Sequence, residues 1–322
     1  MHFKRENNLV DNIVFVDGTA RCGKSLLAPI LTSLERVEIE RMEGIFDYIS
    51  MGYYYGSIKK DVAISILRTV ADEYTYNSFL SRNTNFRFKD HSSVFRSQQA
   101  SRYYKRLLHN EGPETLEKIK STKPIYQNQT HDQLRNFKLF CETWPNRFRM
   151  IEILRNPIEL VDAWVRRRWG IRFAVDPLAF TPCMSFGDKV VPIYAEGWEQ
   201  EYLKMSPENK VVRMLYELQK LNSKIIRGLN KTDFKQLLII KFEDFVSSPI
   251  LALGIISNFL ETTVTKDTNK AMKKQNVPRF ISRDSVDKKL LNLKPCLSDK
   301  SLNLINWMLD DYHSMKSSVN DF

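Results

Sequence analysis

The chain has 322 residues with 43% hydrophobic content, enough for a globular core. Its 49 Lys+Arg outnumber its 38 Asp+Glu, for a formal charge of +11. That favours anionic ligands, but the charge is spread along the chain and no DNA- or RNA-binding motif accompanies it, so no nucleic-acid partner is expected. Cys22, Cys141, Cys183 and Cys296 lie far apart with no C-x-x-C pair. They indicate neither a zinc site nor a dense disulfide scaffold. The N-terminus is polar and no apolar run of about 20 residues exists, so the expectation is a cytoplasmic protein with no signal peptide or membrane span.

The first element is an apolar run, Ile13 to Val16, which reads as a buried strand. Gly18-x-x-x-x-Gly23-Lys24-Ser25 follows at once, and then Leu26, Leu27, Ile30, Leu31 and Leu34 recur at helical spacing. Strand, glycine loop and helix is the context of a phosphate-binding loop. Glycines let successive N–H groups turn inward, and the helix N-terminus adds partial positive charge. Lys24 supplies a full charge, and Arg21 is a second cation. With 11 glycines in the chain, two inside six positions are not background. A chance match in a chain of this length is on the order of one in a hundred.

Val37 to Glu40 reads as a short second strand, and residues 43–80 as mainly helical with a tyrosine cluster at Tyr53, Tyr54 and Tyr55. The polar stretch 81–95, including Lys89-Asp90-His91, reads as an insertion or lid. Helical pattern resumes at about 96–109 and 113–120. An extended segment spans 124–130, and a helix at 133–142 ends at Pro145. Phe148 to Leu154 is a strand, and Pro157 suits the first position of a helix running to about Arg168. Residues 170–195, with three prolines and two glycines, read as a long loop. An amphipathic helix covers 206–228, with Val211, Val212, Leu215, Leu218 and Ile225 on or near one face. A strand at 236–242 and helices at about 249–260 and 302–312 complete the chain. Strands alternating with helices predict an α/β fold, a central parallel sheet flanked by helices. The expected organisation is a single domain over 1–322, with insertions at about 44–122 and 170–230.

Four segments line up in order: the loop at 18–25, Gln129-Thr130-His131-Asp132, Leu154-Arg155-Asn156-Pro157, and Phe242-Glu243-Asp244-Phe245 followed by Pro249. Together, over about residues 12–260, they resemble the superfamily of sulfotransferases that use 3′-phosphoadenosine 5′-phosphosulfate. The resemblance implies a P-loop nucleotide-binding architecture and transfer of a sulfuryl group to a hydroxyl or amine of a small-molecule or glycan acceptor. It leaves adenosine 3′,5′-bisphosphate as product and requires no metal. It implies that Gly18, Thr19, Ala20, Arg21, Cys22, Gly23, Lys24 and Ser25 cradle the 5′-phosphosulfate, and that Lys24 or Arg21 offsets charge on the leaving oxygen. Arg155 would bind the 3′-phosphate. His131 matches the base of the cytosolic branch, with Gln129 in place of its lysine, and Glu43 sits where the carbohydrate-modifying branch has its base. Only one of the two need serve.

The chain departs from the family in two places. Lys24 stands where the family often has Ser or Thr, and Ala163 stands where it usually has a serine for the 3′-phosphate. The first departure keeps a second reading open, a small-molecule kinase using ATP and Mg²⁺. Such a kinase expects an acid at the end of a neighbouring strand, and the strand at 148–154 is followed by Arg155. The second departure keeps open a non-catalytic nucleotide-binding shell.

Overall fold

The computed structural model describes residues 2–10, 12–90 and 92–319, so His91 of the polar stretch lies outside the described residues. The strands are β1 (Asn12–Asp17), β2 (Ile125–Gln129), β3 (Phe148–Leu154), β4 (Cys183–Phe186), β5 (Lys189–Pro192) and β6 (Leu237–Lys241). The helices to β3 are α1 (Lys24–Leu31), α2 (Ile45–Tyr54), α3 (Lys60–Phe79), α4 (Ala100–Arg106), α5 (Pro113–Thr122) and α6 (Phe137–Thr143). Beyond it come α7 (Pro157–Arg166), α8 (Trp169–Arg172), α9 (Glu199–Lys204), α10 (Pro207–Arg227), α11 (Phe242–Ser247) and α12 (Pro249–Phe259). Last are α13 (Thr268–Lys274), α14 (Arg283–Leu293) and α15 (Asp299–Ser314). Backbone contacts divide the chain into two compact units.

The first unit comprises Met1–Ile153, Leu229–Arg279 and Ser317–Phe322. Among the described residues it holds a four-stranded sheet of order β2-β1-β3-β6, flanked by helices. Strands β2 and β3 both run parallel to β1, with Val16 opposite Gln129 and Ile151. A central parallel strand is buried on both faces, which is why β1 reads as a continuous apolar run. Phe15 packs edge-on against Phe46, Phe140, Trp144 and Phe148 at 4.9–6.0 Å. The polar Gln127 of β2 is buried because its amide finds acceptors. Its Nε2 donates to the Ala28 and Glu38 carbonyls and to Thr32 Oγ1, at 3.2–3.3 Å. The 37–41 segment lies along β2 but bridges it only at Val37 and Arg41, instead of forming the continuous strand expected. Parallel strands bring their C-terminal ends to one edge, where ligands of α/β sheets bind. Gly18, Thr130 and Ile153 therefore share that edge.

The second unit comprises Leu154–Gly228 and Phe280–Lys316. Asn156 caps α7, its side chain accepting from the Ile158 N–H at 2.9 Å, with Pro157 at the first helical position. Helices α10 and α15 are joined through Asp311, which accepts from Gln219 Nε2 at 2.8 Å, from Arg227 Nη2 at 2.7 Å and from Ser223 Oγ. On α10, Val211, Val212, Leu215 and Leu218 are buried as the spacing predicts, but Ile226 takes the buried place expected of Ile225. The 170–195 stretch is not a plain loop. It includes part of α8 and the antiparallel hairpin β4–β5, paired from Cys183↔Pro192 to Phe186↔Lys189.

Candidate phosphate-binding loop and its acidic floor

The turn from β1 into α1 depends on two glycines with positive φ, Gly18 at 131° and Gly23 at 120°. A Cβ on Gly18 would lie 2.6 Å from the Ile153 carbonyl oxygen, and one on Gly23 would lie 2.2 Å from the Phe242 ring. Between them the Cys22 N–H donates to the Thr19 carbonyl at 3.0 Å, closing a tight turn. Arg21, with φ 77°, is exposed on this turn. The Cys22 thiol is pushed up to about 12, chiefly by burial, so it is inert packing beneath Gly18. Ser25 is exposed, and its hydroxyl donates to Gln129 Oε1 at 3.3 Å.

Lys24 behaves differently from Arg21. It is 4% exposed, and its ammonium donates to the Gly18 carbonyl, pinning the loop to its own start. Beneath lies a nest of acids. Asp17 is fully buried and accepts from Thr130 Oγ1 at 2.9 Å and from the Gln133 N–H at 2.8 Å. Glu152 stands opposite Asp17 in the β1–β3 register and hydrogen-bonds to it. Burial, reinforced by the Asp17 charge, holds the proton on Glu152 well above the carboxylate range, with Lys24 opposing. Asp132 and Asp47 are raised in the same way, burial first, and Lys24 opposes both shifts. One buried cation thus opposes the upward shift of three buried carboxyls, Glu152, Asp132 and Asp47.

His131 follows β2 beside this nest. Its Nδ1 lies 3.5 Å from Asp47 Oδ2, and its side chain is 40% exposed. The Lys24 charge, helped by lost solvation, lowers the imidazole to about 4, so it is neutral at neutral pH. Glu43 has other partners. Its N–H donates to Asn128 Oδ1 at 2.9 Å, and its carboxylate hydrogen-bonds Tyr74. The structure therefore gathers Lys24 and His131 around one electrostatic centre, and Glu43 is held by Asn128 and Tyr74. In the second unit, Arg155 Nη2 donates to Glu159 Oε2 at 3.0 Å, and Lys289 Nζ holds the other oxygen, Oε1, at 2.5 Å. Arg166 of α7 pairs with Asp162.

The acidic floor was missed as a unit. Its signal was Glu152, a lone acid inside the buried strand Phe-Arg-Met-Ile-Glu-Ile-Leu. A charged residue in such a run requires a partner. Among the described residues, no cluster of three or more His, Cys, Asp or Glu is arranged to hold a metal ion.

No family model matches the chain, and no curated protein matches it in sequence. Among solved structures it is similar to the sulfotransferase domain from the curacin biosynthetic pathway, at 10% identity over 80% of this chain and 77% of that one, with a TM-score of 0.42. It is similar to a sulfotransferase from Alicyclobacillus acidocaldarius, at 13% identity over 92% and 95%, with a TM-score of 0.35. It is also similar to the sulfotransferase domain from the Synechococcus PCC 7002 olefin synthase, at 10% identity over 99% and 93%, with a TM-score of 0.42.

Proposed function

We propose that the protein is a sulfotransferase whose Gly18–Ser25 loop holds the phosphosulfate end of 3′-phosphoadenosine 5′-phosphosulfate. The observation that carries this reading is the division of labour between the two loop cations. Arg21 is exposed on the turn, where an anion would lie, while Lys24 is buried and committed to the Gly18 carbonyl. Arg21 then offsets the charge that develops on the leaving oxygen, as the resemblance implies, and Lys24 holds the loop in shape. The donor supplies the sulfuryl group. His131, neutral and partly exposed, takes the proton of the acceptor hydroxyl or amine. Glu43 is the second candidate for that proton. Arg155 is the 3′-phosphate ligand in this reading, and its claim is separate from that of the loop.

A kinase reading fits the surroundings of Ser25 less well. A P-loop kinase places its Ser or Thr hydroxyl on Mg²⁺, beside an acid. Here Ser25 donates to the neutral amide of Gln129, and the nearby Asp17 is occupied by Thr130 and Gln133.

The deciding experiment is calorimetric titration with adenosine 3′,5′-bisphosphate and, separately, with ATP plus Mg²⁺. The expected result is metal-independent binding of the bisphosphate, weakened at least tenfold in Arg155→Ala, since a bidentate charged contact contributes about 1.5–3 kcal/mol. Binding of ATP–Mg²⁺ alone would replace this reading with the kinase, and binding of neither would overturn the nucleotide-binding readings altogether.

A further inference from the structure

Away from the loop, the first unit leaves a connected set of aromatic rings in water. Phe88 is 73% exposed, and Phe86, Phe95 and Tyr104 are 38–40% exposed. Phe88 stacks on Phe95 with centroids 4.2 Å apart and planes 18° apart. Phe86 meets Phe95 at 6.0 Å, and Tyr104 lies 6.2 Å from it. The turn after α4 exposes two more apolar side chains, Leu107 and Leu108, the latter 86% exposed. Isolated exposed apolar residues are ordinary, whereas a contiguous cluster marks an interaction surface.

Charge says what it meets. Residues 86–105 contain Arg87, Lys89, Arg96, Arg102 and Lys105 against one acid, Asp90. Asp90 is already paired with Arg87 at 3.5 Å, and Arg102 turns inward to Glu38 at 3.6 Å. Arg87, Lys89, Arg96 and Lys105 are exposed. Lys274 of α13 adds another cation, its Nζ donating to the Arg96 carbonyl at 2.6 Å.

We infer that this face seats on an anionic lipid bilayer, with the rings entering the headgroup–acyl boundary and the cations meeting the anionic headgroups. Exposure and side-chain order select a bilayer over a protein partner. Phe88 is 73% exposed and Leu108 86% exposed. In Phe86-Arg87-Phe88-Lys89, apolar and basic side chains alternate residue by residue. That pattern suits a medium whose anionic and apolar layers lie within one side chain's length of each other. None of these residues belongs to the phosphate loop or its acidic floor, so the inference stands independently of the proposed chemistry.

The test is sedimentation of the full chain with vesicles of phosphatidylcholine alone and with added phosphatidylserine. The protein is expected to bind the anionic vesicles, to bind neutral ones little, and to release as salt rises. Phe88→Ser should weaken partitioning roughly tenfold and Lys89→Glu, a change of two charges, roughly thirtyfold, with thermal melts unchanged. The exposed Lys231→Glu, equal in net charge to Lys89→Glu, should have little effect. The inference is overturned if the wild type ignores anionic vesicles, or if Lys231→Glu loses as much as Lys89→Glu. It is also overturned if light scattering shows a dimer that Phe88→Ser dissociates without vesicle binding, which would give the face to a second copy of the chain.

Discussion

Lys24 lies in the sequence where a phosphate loop puts its ligand-facing cation, yet its ammonium faces inward. It bonds the Gly18 carbonyl above Asp17, Asp132 and Glu152. Removing it leaves a buried carbonyl and an acidic floor without their cation, a change of the kind that costs about 3–5 kcal/mol. Lys24→Ala should therefore lose stability of that order in urea denaturation and, with the loop loosened, lose bisphosphate binding as well. Wild-type stability in that variant would return Lys24 to the role of a ligand-facing cation. His131 gives a second prediction at this scale. Its imidazole is lowered from the usual 6.5 to about 4, chiefly by Lys24, so the basic form persists below neutrality. If His131 is the base, kcat/KM should hold nearly level below pH 6.5 and fall as pH drops toward about 4. His131→Asn should remove that limb. A His131→Asn variant that keeps both turnover and profile would move the role to Glu43.

Among the elements, α4 is fastened to the 37–41 segment by one buried ion pair. Arg106 donates to both oxygens of Glu38, at 2.5 and 2.8 Å, and Tyr103 Oη adds a third bond at 3.0 Å. Burial alone would raise Glu38, but Arg106, with Arg102 and Tyr103, overcomes it and holds the carboxyl at about 2. The folded value lies below the unfolded one of about 4.5. The stabilisation is therefore present above that pH and lost as pH falls toward about 2. It amounts to about 3 kcal/mol by linkage. Denaturation midpoints should decline across that window in the wild type. Arg106→Gln should already be destabilised at pH 7 by about 3–5 kcal/mol, because Glu38 keeps its charge without its main partner. A midpoint for Arg106→Gln matching the wild type at pH 7 would contradict this. The sequence did not announce this pair, since Glu38 and Arg106 are 68 residues apart. Nor did periodicity find α13 and α14, which are rich in Lys and bury only Thr268, Ala271 and Met272, and Leu293. A helix with so narrow an apolar stripe leaves little periodic signal. Gly187-Asp188 was a hairpin signal for β4–β5 that the surrounding prolines outweighed.

For the molecule as a whole, the sequence by itself determined the strands of the main sheet, the glycine turn between β1 and α1 and the α/β class. Each of these is written locally. A buried parallel strand must be a continuous apolar run, and a loop that turns N–H groups inward must carry glycines where φ is positive. Charge and the exposed aromatic–basic segment were also present in the letters, although their grouping was not. Tertiary structure alone decided what depends on contacts between distant residues. It set Glu152 against Asp17, turned Lys24 inward and left Arg21 on the surface. It placed His131 in the field of Lys24, and gathered Phe86, Phe88, Phe95 and Tyr104 into one face. Propensity and periodicity act over a few residues, whereas the direction of a buried side chain follows from which charges and walls the fold brings beside it.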